Sequence, residues 1–411
     1  MNDPLDWHTR IVMPDHDITV EANLEQLPPE SVYLASEIQG ADTLKKVWIG
    51  FPGPGTLKGL VWMFHGTNGS GENFFRNNDM LLCVNKLMSL GYTVISLDCE
   101  EKTKETDFNG DDVYRWDYTF DSLVNIDLRN VKAIRDTMVQ RGWIDAGITD
   151  IAYGYSAGGA FATHIATQLG WRAGISHNYP GVSWVAPNGF TPLLLSMTQN
   201  DDNGEVGPEA AIQAQANVAT LLERHVCAAY RYALSQPLYP ERFNRSADIS
   251  LTLSQSIFQE LKQNQVLDEH NYLLLKSEEL LPVVIQNTTA WPVLLSLDQG
   301  QRVFFGDEID ETYATHRFNS DLLGSDVRFI LSLCSSTTAT HDPTPEGMNI
   351  YPNPAQDQVF IPNQGNVYTV FDQDGHVVTT GSNSSLDISF WVPGMYIVRC
   401  GDQTGRLIKI R

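Results

Sequence analysis

A serine in the middle of the chain has the sequence surroundings of an enzymatic nucleophile. The segment Gly-Tyr-Ser-Ala-Gly-Gly (154–159) follows an apolar, strand-like run and precedes a helical run, 160–169. A serine at such a strand-to-helix turn has a strained backbone, needs small neighbours, and presents its hydroxyl at the positive end of a helix. The pattern predicts Ser156 as a nucleophile, against the alternative of a chance match in a surface turn.

A serine nucleophile needs a histidine base that is oriented by a carboxylate. For a serine on this kind of turn, the acid is expected later in the chain and the histidine later still. Two adjacent aspartates, Asp201 and Asp202, follow the apolar run 192–197. The spacing from the start of that run favours Asp201 and leaves Asp202 as the alternative, while a solvated Asn/Asp-rich turn is the non-functional interpretation.

The positions of the ten histidines favour His316 as the base. His316 follows a predicted strand, 302–305, and precedes a predicted closing helix, 321–333, so its loop is expected to reach over the strand ends. His177 precedes the acid and therefore has the wrong order, and His270 is an outside candidate. Structural or peripheral positions are expected for the rest, which are His8, His16, His65, His164, His225, His341 and His376.

Ester or amide chemistry also needs donors for a developing oxyanion. The glycine-rich loop 65–71 (His-Gly-Thr-Asn-Gly-Ser-Gly) follows an early apolar run and offers the backbone N–H of Thr67. The second expected donor is the N–H of Ala157, next to the nucleophile. The same loop lacks the Gly-Lys-Ser/Thr ending of a phosphate cradle.

Elements that could position these residues alternate along the chain. Apolar runs at 59–64, 92–97, 148–153, 173–176 and 193–197 are separated by helical stretches, which is typical of a parallel sheet covered on both faces. One helix is predicted over 123–138, with Leu123 and Val124 on its apolar face. Residues 9–50 are expected to form antiparallel strands and turns. Residues 209–285 are mostly helical in pattern and predict a long insertion between the last two strands, as in a lid.

Length and composition limit the class of protein. The 411 residues suggest one large domain and a smaller one, and 42% apolar residues exclude a disordered or fibrous chain. Fifty acidic side chains against 27 basic ones give a net charge of −23, which disfavours nucleic acid and anionic membranes as partners. No apolar run is long enough to span a bilayer. The N-terminus has no signal-like pattern, so a cytosolic chain and a mature secreted chain remain open, and five cysteines leave at least one thiol outside a disulfide.

The composition changes sharply near residue 335. Residues 1–335 are assigned to the first domain, and 336–348, rich in Ser, Thr and Pro, are predicted to be a linker. Residues 349–411 contain short strands between turns and predict a small β-sandwich. An ordinary accessory module that binds carbohydrate is the alternative for this domain.

The motifs at 65–67, 154–159 and 314–321 together resemble the α/β-hydrolase superfamily, near its secreted esterases that act on polyesters or feruloyl esters. The resemblance covers about residues 45–335 and implies an α/β-hydrolase fold, a doubly wound and mostly parallel sheet with a helical insertion. It also implies catalysis by Ser156, Asp201 and His316 with an oxyanion hole at Thr67 and Ala157, and no cofactor or metal.

The C-terminal region resembles the sorting domains of type IX secretion in Bacteroidetes. The resemblance is carried by Ile-Tyr-Pro-Asn-Pro-Ala (350–355), Pro-Gly-Met-Tyr-Ile-Val (393–398) and the terminal Lys-Ile-Arg. It implies a chain that the type IX machinery exports, to be secreted or held at the cell surface.

The expected function is a secreted serine hydrolase that cleaves polymeric or aryl carboxylic esters, such as polyester or acylated polysaccharide. A peptidase on the same fold and a non-catalytic, hydrolase-like surface binding module are the alternatives. The acidic segment 98–117 could hold Ca²⁺ but lacks the loop spacing for it, so a solvated loop is favoured. Tyr155, Trp116 and Trp184 could form a platform for a ring, or simply belong to the core.

Overall fold

The computed structural model describes residues 33–53, 57–204, 206–334, 350, 355–361, 366–372, 377–400 and 403–409. By its internal contacts the chain divides into two compact units, Met1–Cys334 and Ser335–Arg411. The predicted linker 336–348, His8, His16, His341, His376 and the start of the expected antiparallel region lie outside the described residues. None of the helices in the described ranges has the length and apolar character needed to span a bilayer.

The first unit is built on an eight-stranded, mostly parallel sheet, and this confirms the predicted α/β-hydrolase fold class. The strands are β1 (Leu34–Gln39), β2 (Leu44–Gly50), β3 (Gly59–Phe64), β4 (Tyr92–Leu97), β5 (Asp150–Tyr155), β6 (Ala173–His177), β7 (Leu193–Thr198) and β8 (Ala228–Ala233). Their order in the sheet is β1-β2-β4-β3-β5-β6-β7-β8. β2 runs antiparallel to both of its neighbours, β1 and β4, and the six strands β3 to β8 are parallel to one another.

Helices cover both faces of this sheet. The α-helices described in the first unit are α1 (Asn78–Ser89), α2 (Glu100–Lys104), α3 (Ile126–Gln140), α4 (Ala157–Leu169), α5 (Val185–Asn188), α6 (Gly207–Glu223), α7 (Leu251–Gln263), α8 (Ser277–Gln286), α9 (Pro292–Ser296), α10 (Gln299–Thr312) and α11 (Leu323–Ser332). Residues of α1 and α11 pack in one core cluster and residues of α3 and α4 in another. β3, β4 and β7 are buried along their whole length, which explains their continuous apolar sequences.

The helical region differs from the expected insertion at 209–285. α6 connects β7 to β8, so residues 209–223 form an ordinary crossover, and the layer of additional helices follows β8 instead. The sequence of β8, Ala-Ala-Tyr-Arg-Tyr-Ala, is half-buried at the edge of the sheet and has no continuous apolar run. Because β8 lacks an apolar run, the sequence pattern did not reveal that the sheet continues to residue 233. The additional helical layer therefore comprises residues 234–312, and its helices share a separate apolar core.

The predicted strand at 302–305 is wrong, because these residues lie in α10. Asp298 caps this helix by accepting the N–H of Gln301, and the Gln301 side chain accepts the N–H of Asp298 in return. Phe305 and Ile309 are buried at helical spacing. The exposed Leu123 and Val124 also depart from prediction, since α3 begins only at Ile126.

A disulfide joins Cys227, just before β8, to Cys334, just after α11, while Cys83, Cys99 and Cys400 are buried thiols. The bridge closes a loop of 107 residues. A loop of this length contributes about 4–5 kcal/mol to stability in the chain-entropy model. The pair fixes the last helix of the first unit to the edge of the sheet, and disulfides of this kind are typical of exported proteins.

The second unit contains two small antiparallel sheets that fit the predicted β-sandwich. Its strands are β9 (Gln358–Phe360), β10 (Tyr368–Phe371), β11 (Val377–Gly381), β12 (Ser385–Asp387), β13 (Gly394–Cys400) and β14 (Gln403–Lys409). β11-β10-β13-β14 form one sheet and β12-β9 the other. Trp391 packs against Tyr396 at a centroid distance of 4.8 Å.

Candidate active site

Ser156 lies on a sharp turn between β5 and α4, as the sequence predicted. Its φ of 54° and ψ of −127° are a strained combination for a residue with a side chain. A Cβ on Gly154 would lie 2.0 Å from the carbonyl oxygen of Gly158, and one on Gly158 would lie 1.9 Å from that of Phe64. The turn therefore requires both glycines. The N–H of Ser156 donates to the carbonyl of His177 on β6 at 2.8 Å, which anchors the turn to the sheet.

The loop that carries His316 is held against the end of β7 by asparagine side chains. Asn200 donates from its backbone N–H to the carbonyl of Ala314 at 2.9 Å and from Nδ2 to that of Tyr313 at 2.6 Å. Asn178 Nδ2 donates to the carbonyl of Arg317 at 2.6 Å. Both asparagines follow the carboxyl ends of parallel strands. Neither asparagine belongs to a motif that predicts the site, although polar residues at the ends of parallel strands are a usable signal for one.

The structure brings the three predicted side chains into one hydrogen-bonded chain. Ser156 Oγ lies 2.8 Å from His316 Nε2, and His316 Nδ1 lies 2.7 Å from Asp201 Oδ2. Asp201 is 2% exposed and His316 12% exposed. Asp202 turns away, since its carboxylate pairs with the Lys276 ammonium and is 63% exposed. The geometry therefore favours Asp201 over Asp202.

The loop after β3 lies directly against the nucleophile. A Cβ on Gly66 would lie 3.2 Å from Ser156 Cβ, so Thr67, the next residue, is close to the serine. His65 supports the loop from below. Its Nδ1–H donates to the Gly66 carbonyl at 2.7 Å and its Nε2 accepts the N–H of Cys99 at 3.2 Å, which defines a neutral ring. Burial lowers the pKa of His65 and so maintains that neutral form.

The other described histidines lie away from the serine hydroxyl. His270 is 56% exposed beside Glu269, and His225 is exposed just after α6. His164 packs edge-on against Trp184, and burial lowers its pKa to about 4. His177 is buried behind the turn.

The three aromatic residues considered as a ring platform have different positions. Trp116 is 2% exposed and stacks on Phe161, so it belongs to the core. Tyr155 is half-buried beside His316, with ring centroids 6.2 Å apart. Trp184 is half-buried and lines a groove near the C-terminal end of α4.

A groove of about 670 Å³ lies at the end of α4 opposite to Ser156. Phe120, Trp184 and Phe190 are among its lining residues, and Phe120 contacts Trp184 edge-on at 4.9 Å. The 13 residues of α4 correspond to about 20 Å of helix, so this groove is separate from the hydrogen-bonded chain at Ser156.

The acidic segment 98–117 is organised by its own backbone and by buried partners. Asp107 accepts N–H groups from Gly110 and Asp112 at 2.7 Å each, and these bonds lower its pKa. Glu101 accepts the N–H of Arg115 at 2.8 Å. Asp107 and Glu101 thus accept hydrogen bonds from the backbone of the segment itself.

A buried ionic cluster, absent from the sequence predictions, joins α1, α10 and the segment 242–245. Asp321, in the loop after His316, also pairs with Arg242. The carboxylates of Asp79, Glu308 and Glu311 lie close enough together to hold a metal ion. Two guanidinium groups lie among them: Arg242 pairs with Glu308 and Glu311, and Arg245 with Glu308 at 3.0 Å. These cations supply the positive charge that a metal would otherwise bring.

The second unit matches a known family. The model of the secretion system C-terminal sorting domain covers residues 349–410. The chain carries a type IX sorting domain. The protein is therefore an exported one, secreted or held at the cell surface, of the kind found in Bacteroidetes. No curated protein matches the chain significantly.

Solved structures with a related fold include several serine hydrolases. A serine hydrolase without a lid from Xanthomonas campestris has 16% identity and a TM-score of 0.36, over 58% of this chain and 97% of its own. A puromycin-hydrolyzing peptidase from Mycobacterium tuberculosis has 17% identity and a TM-score of 0.38, over 50% of this chain and 36% of its own. Dipeptidyl peptidase 4 from Porphyromonas gingivalis has 17% identity and a TM-score of 0.36, over 50% and 32%. This chain thus spans about a third of the length of these two peptidases.

Proposed function

We propose that the protein is an exported serine hydrolase that cleaves carboxylic esters through an acyl-enzyme on Ser156. The observation that carries this proposal is the unbroken hydrogen-bonded chain from Ser156 Oγ through His316 to Asp201. Nucleophile, base and orienting acid thus have the geometry that acyl transfer requires.

In the first half-reaction, His316 Nε2 takes the proton of Ser156 Oγ while that oxygen attacks the ester carbonyl carbon. Asp201 accepts the Nδ1–H bond, holds the ring in this orientation and stabilises its charged form. The carbonyl oxygen becomes an oxyanion, which the N–H groups of Thr67 and Ala157 bind in this proposal. The C–O bond then breaks, and His316 returns its proton to the departing alcohol oxygen.

In the second half-reaction, water takes the place of the alcohol. His316 removes a proton from the water as its oxygen attacks the acyl carbon, and it then protonates Ser156 Oγ as the acid leaves. The proton of Ser156 thus leaves with the alcohol, and a proton from water replaces it, so both half-reactions balance with substrate and water alone.

The charges around the site favour a neutral substrate over an anionic one. Arg317, next to the base, faces the carboxylates of Asp307 at 3.7 Å and Asp310 at 3.4 Å. Lys276 is paired with Asp202 and Glu278. Both cations are thus engaged by carboxylates, so neither is a ready anchor for the C-terminal carboxylate of a peptide. The ring of Tyr155, 6.2 Å from that of His316, offers an apolar surface for an aryl group of the ester.

A comparison of esters with matched amides tests this proposal. We expect turnover of p-nitrophenyl esters and of aryl esters by the full chain. We expect turnover of the p-nitroanilides with the same acyl groups no faster than the background of Ser156→Ala. Comparable turnover of the amides, or of peptides alone, would make the protein a peptidase. Binding of a polymer without any turnover would favour the surface binding module.

A further inference from the structure

A second group of polar side chains lies buried directly behind the nucleophile turn. Tyr153 on β5, His177 on β6 and Asp326 on α11 form this inner cluster, and none is more than 1% exposed. His177 Nε2 lies 2.9 Å from Asp326 Oδ2, and the Tyr153 hydroxyl donates to the same oxygen at 2.5 Å. The Tyr153 oxygen and His177 Nε2 are 3.1 Å apart.

Burial excludes the inner cluster from substrate. Burial first, and then the charge of Asp326, raises the pKa of Tyr153 well above its usual range, so it is a neutral donor. A carboxylate in the core loses its hydration, and the two donors only partly offset that cost. Such a group is expected where it imposes a specific arrangement on its surroundings.

The inner cluster contacts both the turn that carries Ser156 and the loop that carries His316. The backbone carbonyl of His177 accepts the N–H of Ser156. The ring of His177 stacks on Phe318, at 5.3 Å between centroids and 14° between planes. Phe318 lies two residues after His316 and also contacts Tyr155 at 6.3 Å. His177 thus supports the turn of the nucleophile through its backbone carbonyl and the loop of the base through its ring, which Asp326 holds.

We propose that Asp326 and His177 are positioning residues that set the distance between Ser156 Oγ and His316 Nε2. The inference rests on the proposed function of those two side chains. Asp326 fixes the ring of His177, and that ring fixes Phe318 and with it the loop of His316. The disulfide at Cys334, eight residues after Asp326, anchors the helix that carries the carboxylate.

A purely structural role would lower stability without affecting the reaction of Ser156, so a matched control is needed. Asp150 provides one, because it is also a buried carboxylate. It lies on β5 and accepts hydrogen bonds from Trp62 Nε1 and Arg135 Nε at 2.8 Å each. It lies about 20 Å from Ser156 along the strand. Asp150→Asn is therefore expected to lower stability while leaving the reaction rate unchanged.

The test is the rate at which a fluorophosphonate inactivates the folded full-length protein, with kcat and KM for an ester as a second measurement. For Asp326→Asn we expect inactivation and kcat to fall about 10- to 100-fold with KM nearly unchanged, since small displacements of reacting groups have effects of this size. Tyr153→Phe, which removes only the hydroxyl, should show a smaller fall and decides the matter if Asp326→Asn does not fold. Asp150→Asn should react like the parent.

Failure of the positioning role and failure of the proposed function would give different results. A parent that reacts with the phosphonate, together with a folded Asp326→Asn that reacts equally fast, would overturn the positioning role alone; if Asp326→Asn does not fold, an equally fast Tyr153→Phe would do so. A parent that does not react would overturn the proposed function, and the positioning role with it.

Discussion

Replacement of Asp201 by asparagine is expected to lower kcat for ester hydrolysis by about 10⁴-fold, the size seen when the acid of such a chain loses its charge. An asparagine can donate from its amide to His316 Nδ1, which would place the imidazole proton on Nε2 and leave no base facing Ser156. KM should change little, because Asp201 is 2% exposed and contacts the base rather than the substrate. The measurement is steady-state kinetics on a soluble p-nitrophenyl ester.

The neighbouring aspartate supplies the control. Asp202→Asn removes an equal charge from the adjacent residue, but that carboxylate faces Lys276 and solvent. Removal of an exposed ion pair of this kind costs at most about 1 kcal/mol, and we expect near-parental kcat. Inactivity of Asp202→Asn with retained activity in Asp201→Asn would reverse the assignment of the acid.

Gly158→Ala is expected to destabilise the protein by more than about 3 kcal/mol. In an unobstructed helix this change stabilises by up to about 1 kcal/mol, so the expected sign is the reverse of the intrinsic preference. The new Cβ would lie 1.9 Å from the Phe64 carbonyl oxygen at the end of β3, and backbone would have to move. The same movement would displace Ser156, so activity should fall with stability.

The loss of stability is measured by urea unfolding of Gly158→Ala, with Gly147→Ala as the control. A Cβ on Gly147 meets nothing within 4 Å, so its free energy of unfolding should stay within about 0.5 kcal/mol of the parent. Equal stabilities of the two variants would show that the start of α4 does not pack directly on the Phe64 carbonyl at the end of β3.

Local signals made the nucleophile turn predictable from sequence. Ser156 lies in a segment whose small residues, preceding strand and following helix all point to one backbone conformation, and the structure has that conformation. His316 and Asp201 depended on chain order, which does not require a correct secondary structure between them. The loop of His316 was thus located even though 302–305 form a helix rather than a strand.

The parts that sequence reasoning missed depend on contacts between distant residues. Asp326 and His177 are 149 positions apart and pair only because α11 packs behind β6. Arg242 and Glu308 form the centre of the ionic cluster from two helical segments whose packing no local pattern encodes. β8 was missed for a different reason, since an edge strand half-exposed to solvent lacks the continuous apolar run of the central strands.

Ser156 is expected to be an activated nucleophile, and covalent labelling can detect this. The most direct test is intact-protein and peptide mass spectrometry after exposure of the parent and of Ser156→Ala to a fluorophosphonate at neutral pH. We predict one phosphonyl group per parent chain, located on Ser156, and none on Ser156→Ala. An unmodified parent that is folded, or a parent modified at another residue, would show that Ser156 is not the activated nucleophile.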